Sequence, residues 1–220
     1  MKYLITERQL KLIKEDNIRK IDFQIFNNDW YFLQKFLERR GNPPYIIRGN
    51  VDLTEISIKS LGNLVGVIGN LNLGNNKTLE DLGSLEFVEN ILYLHNTNIK
   101  SLGSIKYVGG DLILRNSDAE SLGNLESVGG YFNLKNSYIN SLGNLKSVGG
   151  NFDARTYRLK SLGKLETVGG YLFIDDTNID SLGNLKYVGA EIDLKYTPLA
   201  RKITEDEIRS QVEVGGYIDL

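Results

Sequence analysis

One histidine, His95, and one close group of acids, Asp175, Asp176 and Asp180, are the residues whose types and spacing suit acid–base or metal chemistry. A lone imidazole can act as a base or a ligand, and neighbouring carboxylates can hold a cation or divide acid and base roles. Position weakens both. His95 and Asp175 fall at outward sites of short strands and Asp176 at the turn that follows, so the two carboxylates do not converge. The chain has no cysteine, which removes disulfides, thiolate metal sites and thiol nucleophiles together. It has no phosphate loop, no Gly-x-Ser-x-Gly elbow and no calcium-binding Gly-Gly-x-Gly-x-Asp repeat. The expectation is a protein that is not an enzyme and uses neither cofactor nor metal.

Recognition chemistry is better supported. At a 20-residue spacing the chain sets out His95, Arg115, Lys135, Arg155, Asp175 and Lys195, with three cations in succession. Beside them run Tyr131, Tyr171 and Tyr217, and then Tyr93, Ile113 and Phe173. Exposed aromatics next to arginine are the usual make-up of protein-interface hot spots. The same mixture can hold an acidic glycan or a nucleic-acid strand. It is also compatible with a solvated sheet whose cations are offset by Asp111, Asp153 and Asp193. The candidate site is therefore Tyr93, His95, Ile113, Arg115, Tyr131, Lys135, Arg155, Tyr171 and Phe173.

What positions these residues is a repeat. Gly numbers 23 and Pro only 3 in 220 residues, and the glycines recur in register. Ser-Leu-Gly begins at Ser60, Ser101, Ser121, Ser141, Ser161 and Ser181, with Asp81 standing for the serine; the first step is 21 residues and the rest are 20. A fixed period of this length marks a solenoid. In the unit Asp111–Gly130, Leu112 and Leu114 alternate as in a strand, while Ala119, Leu122, Leu125 and Val128 are spaced for turns or one tight helical turn. Strands are expected from Asn50, Asn70, Ile91, Asp111, Tyr131, Asn151, Tyr171, Glu191 and Gly216 onward, five residues each. Successive turns run the same way, so the sheet is parallel, with rungs ~4.8 Å apart. One rung buries too little to stand alone; stacking stabilises it.

The serines suit a capping role, and the glycine of each Ser-Leu-Gly suggests a positive φ or a lack of room for a Cβ. The position preceding the glycine before each strand holds Arg48, Ile68 and Glu89 as well as Gly, so it does not strictly require glycine. Two solvent columns alternate in charge. One runs Glu86, Lys106, Glu126, Lys146, Glu166, Lys186; the other includes Lys59, Glu80, Lys100 and Glu120. Side chains one rung apart attract when opposite in sign, so these columns read as structural.

The ends depart from the repeat. Thr6 with Gln9 makes a capping box for a helix carrying Leu10 and Ile13. Asp29 caps a second helix through Trp30, Phe32, Leu33, Phe36 and Leu37, ended by Gly41 and Pro43-Pro44. The pair is expected to cover the open end of the core, with a partner-binding role as the alternative. Thr204 with Glu207 predicts a short helix before the last strand.

The string LxLxxTxIxSLGxLxxVGG, clear over 91–188, resembles the leucine-rich repeats, most closely the short repeats of receptor L domains and related bacterial or viral proteins. It departs where the buried Asn after the strand is replaced by Thr97, Ser117, Ser137, Thr177 and Thr197, with Tyr157 as an exception. The opening ITERQLK resembles the start of bacteriophage and environmental-virus proteins. The resemblance implies a right-handed, mostly β, parallel leucine-rich-repeat solenoid of about eight coils, with a helical cap at 1–44, the solenoid over 45–199, and a closing helix and strand over 200–220. It also implies a non-enzymatic scaffold that binds a protein through the strand face, with a glycan- or polyanion-binding virion module as the alternative and a parallel-solenoid enzyme less favoured. Lys plus Arg is 26 against Asp plus Glu 28, a net charge of −2 that argues against general nucleic-acid or polybasic membrane binding. No apolar run approaches the ~20 residues that span a bilayer. The charged N-terminus lacks the apolar stretch of a secretory signal, so the expected location is intracellular, or within a virion.

Overall fold

Two features of each repeat decide how the backbone pairs: a short apolar alternation and the glycine corner before it. The computed structural model describes residues 18–54 and 56–220. The architecture is a mostly β parallel solenoid of about seven turns with few helices. Each turn supplies two short strands to two different sheets. The first sheet runs β1 (Arg19–Asp22), β2 (Tyr45–Arg48), β4 (Leu64–Ile68), β6 (Phe87–Val88), β8 (Tyr107–Val108), β10 (Ser127–Val128), β12 (Ser147–Val148), β14 (Thr167–Val168), β16 (Tyr187–Val188) and β18 (Glu213–Val214). The second runs β3 (Val51–Asp52), β5 (Leu71–Asn72), β7 (Leu92–Tyr93), β9 (Leu112–Ile113), β11 (Phe132–Asn133), β13 (Phe152–Asp153), β15 (Leu172–Phe173), β17 (Ile192–Asp193) and β19 (Ile218–Asp219).

Every pairing is parallel and the central register is 20 residues: Ser127 lies opposite Tyr107 and Ser147, Phe132 opposite Leu112 and Phe152. A column in the sequence is thus a column in space. The second sheet is the expected one, with paired segments of two residues instead of five. The first is an addition. Its central rungs carry one inward residue each, such as Val128 or Val148, and two residues leave no alternation to detect.

The Ser-Leu-Gly segment forms a turn and no helix. The serine hydroxyls accept the glycine N–H at 3.0–3.2 Å, and the glycines from Gly62 to Gly183 hold φ between +56° and +59°. A Cβ on Gly83 or Gly123 would also lie 2.2–2.4 Å from the carbonyl oxygen of the preceding coil, and the regular coils leave as little room at the other corner. A Cβ on Gly129, Gly149 or Gly169 would lie 2.1–2.2 Å from the carbonyl oxygen of the preceding coil. Glu89 and Ile68 are accommodated only in the first, less regular coils.

Inside, Leu112, Leu114, Leu125 and their equivalents are fully buried, each contributing ~1.5–3 kcal/mol before chain entropy is set against it. Phe132 and Phe152 stack at 4.9 Å. Ala119 and Ala154 stand in neighbouring columns otherwise held by Leu or Ile, which offsets the added ring volume. The hydroxyls of Thr97, Ser117, Thr177 and Thr197 donate to the carbonyl three residues back at 2.6–2.8 Å. Tyr157 is no gap in this column: Thr156 enters one residue early and donates to the Ser137 carbonyl at 2.7 Å. Tyr157 is left in solvent. In an earlier coil Asn76 fills the place, donating to the Ile56 carbonyl at 3.0 Å.

At the N-terminal end, β1 extends the first sheet beside β2. Asp29 accepts the Phe32 N–H at 2.9 Å and opens α1 (Trp30–Glu38), whose Trp30, Leu33 and Leu37 join the solenoid core with Phe23 and Phe26. The helix expected at Leu10 and Ile13 lies outside the described residues. Near the other end, α2 (Glu205–Arg209) has both bonds of its Thr204–Glu207 capping box. It lengthens one step, so that Tyr187 pairs with Glu213. Among the described residues no helix is long and apolar enough to cross a membrane.

Candidate binding face

The outer face of the second sheet brings all nine predicted residues together in three columns. Tyr131 and Tyr171 immediately precede β11 and β15. Tyr93, Ile113 and Phe173 are the outward residues of β7, β9 and β15. His95, Arg115, Lys135 and Arg155 follow their strands by two residues. Neighbouring rungs are ~4.8 Å apart, so residues one rung apart in a column are spatial neighbours.

The columns differ in what holds them. In the first, the acceptors alternate with tyrosines: Asp111 accepts the Tyr131 N–H at 2.8 Å and Asn151 the Tyr171 N–H at 3.0 Å. These Asp and Asn residues are backbone fasteners. In the second, Asn133, Asp153 and Asp193 accept the N–H two residues on, at 3.1–3.3 Å. Tyr93, Ile113 and Phe173 replace that acceptor with apolar surface. Tyr171 and Phe173 lie parallel with centroids 5.7 Å apart, and Arg155 sits 5.3 Å over the Phe173 ring. Such stacked pairs add ~0.5–1.5 kcal/mol to the area they cover.

The four cationic positions are not equivalent. Arg155 closes on Asp153 with two bonds, of 2.8 and 2.7 Å, and this pair raises its already high pKa further. Asp153 is 6% exposed, so the pair is internal to the face. His95 is occupied with packing. Its ring fills the space a Cβ on Gly74 would need, its edge meets Tyr93, and its Nδ1 is buried without a hydrogen-bond partner. Burial first, and then Arg115, hold its pKa below the usual value, which favours the neutral imidazole. Arg115 and Lys135, on adjacent rungs, have no ion-pair partner among the described residues. Burial raises the Tyr131 phenol, which accepts from the Asn133 amide at 2.7 Å.

Farther along the stack the face turns acidic. Asp175 lies 3.9 Å from Arg155, and its Oδ1 is buried without a hydrogen bond. Burial and the neighbouring Asp193 push its pKa up. Lys195 is held by Asp219. Asp176 sits at the corner with φ +56°, in a column of left-handed residues with Asn75, Asn96, Asn116 and Asn136. Among the described residues no group of three or more His, Asp or Glu side chains is placed to hold a metal ion.

A second exposed cluster lies at another corner and has no counterpart in the sequence reading. Arg158 stacks 4.4 Å over Tyr138 and bonds Tyr157 at 2.8 Å. The signal for it was the Thr156 shift, which a strict 20-residue alignment hides.

No protein-family model, curated protein or solved structure matches this chain. What the face does must come from its own geometry.

Proposed function

We propose that the chain is a non-enzymatic scaffold that binds another macromolecule, a protein, through the outer face of the second sheet. One observation carries this. Arg115 and Lys135 stack as like charges with no ion-pair partner among the described residues, on the same face as the half-exposed rings of Tyr131, Tyr171 and Phe173, while the solvent column Glu86–Lys186 is closed into ion pairs. Unpaired cations next to anchored aromatics supply both the polar and the apolar parts of a hot spot. The resemblance to leucine-rich repeats supports the same use of a strand face, and with it a cap role for the segment before residue 45; the opening ITERQLK supports an origin in a phage or virus.

Binding of an acidic glycan or other polyanion is the alternative, favoured by the same Arg115–Lys135 pair. The carboxylates of Asp175 and Asp193 on the same face would repel such a ligand.

The test is affinity capture from the native host with the immobilised chain. Arg115→Glu combined with Tyr131→Ala abolishes capture while the melting curve stays unchanged; retained capture by a folded double variant refutes the face. Signal on a glycan array that acidic competitors erase would establish the alternative instead.

A further inference from the structure

We infer that the protein bound by this face is a second copy of the same chain, related by a two-fold axis that runs along the strands through the rung of Asp153 and Arg155. The inference rests on the strand face being an interface, and it adds the identity of what covers it.

The face divides at that rung. On one side Arg115 and Lys135 are adjacent and, among the described residues, without an ion-pair partner. On the other, Asp175 and Asp193 lie on adjacent rungs, close enough for Asp193 to raise the Asp175 pKa. Between them Arg155 is neutralised by Asp153. Like charges on neighbouring strands destabilise the isolated chain. The half with Arg115 and Lys135 is net positive even with Asp111, and the half with Asp175, Glu191 and Asp193 is net negative even with Lys195, so the surface is complementary to itself, as a two-fold interface requires.

The spacing agrees. Tyr131 and Tyr171 stand one rung to either side of Asn151, and Lys135 and Asp175 one rung to either side of Arg155. An axis along the strands reverses the order of the rungs and keeps each column facing itself. Lys135 then meets Asp175 of the second copy, and Tyr131 meets Tyr171. Arg115 comes opposite Lys195, whose ammonium is already held by Asp219, with Asp193 of the same rung one column away. Asp111 comes opposite Glu191 at the rim, where water and salt screen the pair. Each contact off the axis occurs twice; on the axis Arg155 meets its own copy, its charge already offset by Asp153. The five rungs concerned span only ~20–25 Å, a small interface, so the dimer is weak, with a Kd on the order of micromolar or above.

Sedimentation velocity on the full chain, from micromolar to millimolar concentration and at low and high salt, tests this directly. The wild type dimerises with concentration, and salt weakens the dimer. Arg115→Glu with Lys135→Glu gives a monomer, as does Asp175→Lys with Asp193→Lys. An equimolar mixture of the two variants dimerises at least tenfold more tightly than either alone, because both halves of the interface are again opposite in sign. Three results overturn the inference: a wild type monomeric at millimolar concentration, a dimer that ignores both reversals, or folded variants that stay monomeric when mixed. If a reversal variant does not fold by circular dichroism, Lys135→Ala and Asp175→Asn replace it, each expected to weaken the dimer several-fold and to flatten its salt dependence. A monomeric wild type whose host capture is still lost in Arg115→Glu/Tyr131→Ala overturns self-association alone. Capture that survives that variant refutes the face itself.

Discussion

Two columns of this solenoid share one geometry and obey opposite electrostatic rules. Beside the first sheet, Lys106 pairs with Glu86 at 2.8 Å, Lys146 with Glu126 at 2.9 Å and Lys186 with Glu166 at 2.7 Å. On the second sheet the equivalent spacing stacks Arg115 on Lys135, with no ion-pair partner among the described residues. A repeat multiplies whatever it places at a position. Alternation of sign is therefore the arrangement that stacking alone favours, and the like-signed column is the one whose explanation lies outside the isolated chain. The first column describes how the rungs hold together; the second describes a surface left for something else.

The shared geometry gives the largest effect. Gly149→Val places a side chain within 2.2 Å of the Gly129 carbonyl oxygen, between two rungs and against backbone that cannot swing aside. The expected loss is several kcal/mol, about 3 or more, read by urea denaturation. A loss below about 1 kcal/mol would show that the rungs part easily, and would remove the fixed spacing on which both columns depend.

The fold was largely legible in the sequence and the site only in part, for a physical reason. Burial recurs every 20 residues, so Leu112, Leu122 and their equivalents announce the stack, and the glycine of each Ser-Leu-Gly announces its turn. The first sheet was hidden because rungs such as Ser127–Val128 are too short to alternate. Strand β1 was hidden because only Ile21 of Arg19–Asp22 is buried. At the face, the sequence set the nine residues in columns and offered Asp111, Asp153 and Asp193 as counter-charges, but did not show which cation each one holds. Arg155 and Arg115 look alike in the repeat. Only the backbone brings Asp153, two residues earlier on the same strand, around both nitrogens of Arg155, while the matching residue before Arg115 is Ile113. Likewise Thr156 could not be told from Tyr157 as the buried member of its coil until the hydrogen bond to Ser137 was seen.

A smaller effect sharpens the acidic half of the comparison. The Asp175 pKa is raised by burial and by Asp193, with Arg155 opposing. A carboxyl whose folded pKa lies above its unfolded value binds its proton more readily in the folded chain. Stability from this group is greatest at low pH, falls as pH rises through the window just above the ordinary carboxylate value, and stays lost at neutral pH. Asp175→Asn is therefore expected to stabilise the monomer at pH 7 by a few tenths of a kcal/mol and to change little at pH 3. Destabilisation at pH 7 would mean that the contact with Arg155 outweighs the burial and the repulsion.

The most direct measurement is a matched pair of substitutions in dilute, monomeric protein. Lys146→Glu breaks the alternating column, setting three glutamates in succession, and Lys135→Glu creates alternation in the column that lacks it. Urea denaturation of both at low salt should give shifts of opposite sign, each a few tenths of a kcal/mol: Lys146→Glu less stable than the wild type, Lys135→Glu more stable, and both differences reduced by salt. Loss of stability in both variants would contradict the distinction, because it would make Lys135 a structural residue of the stack like Lys146.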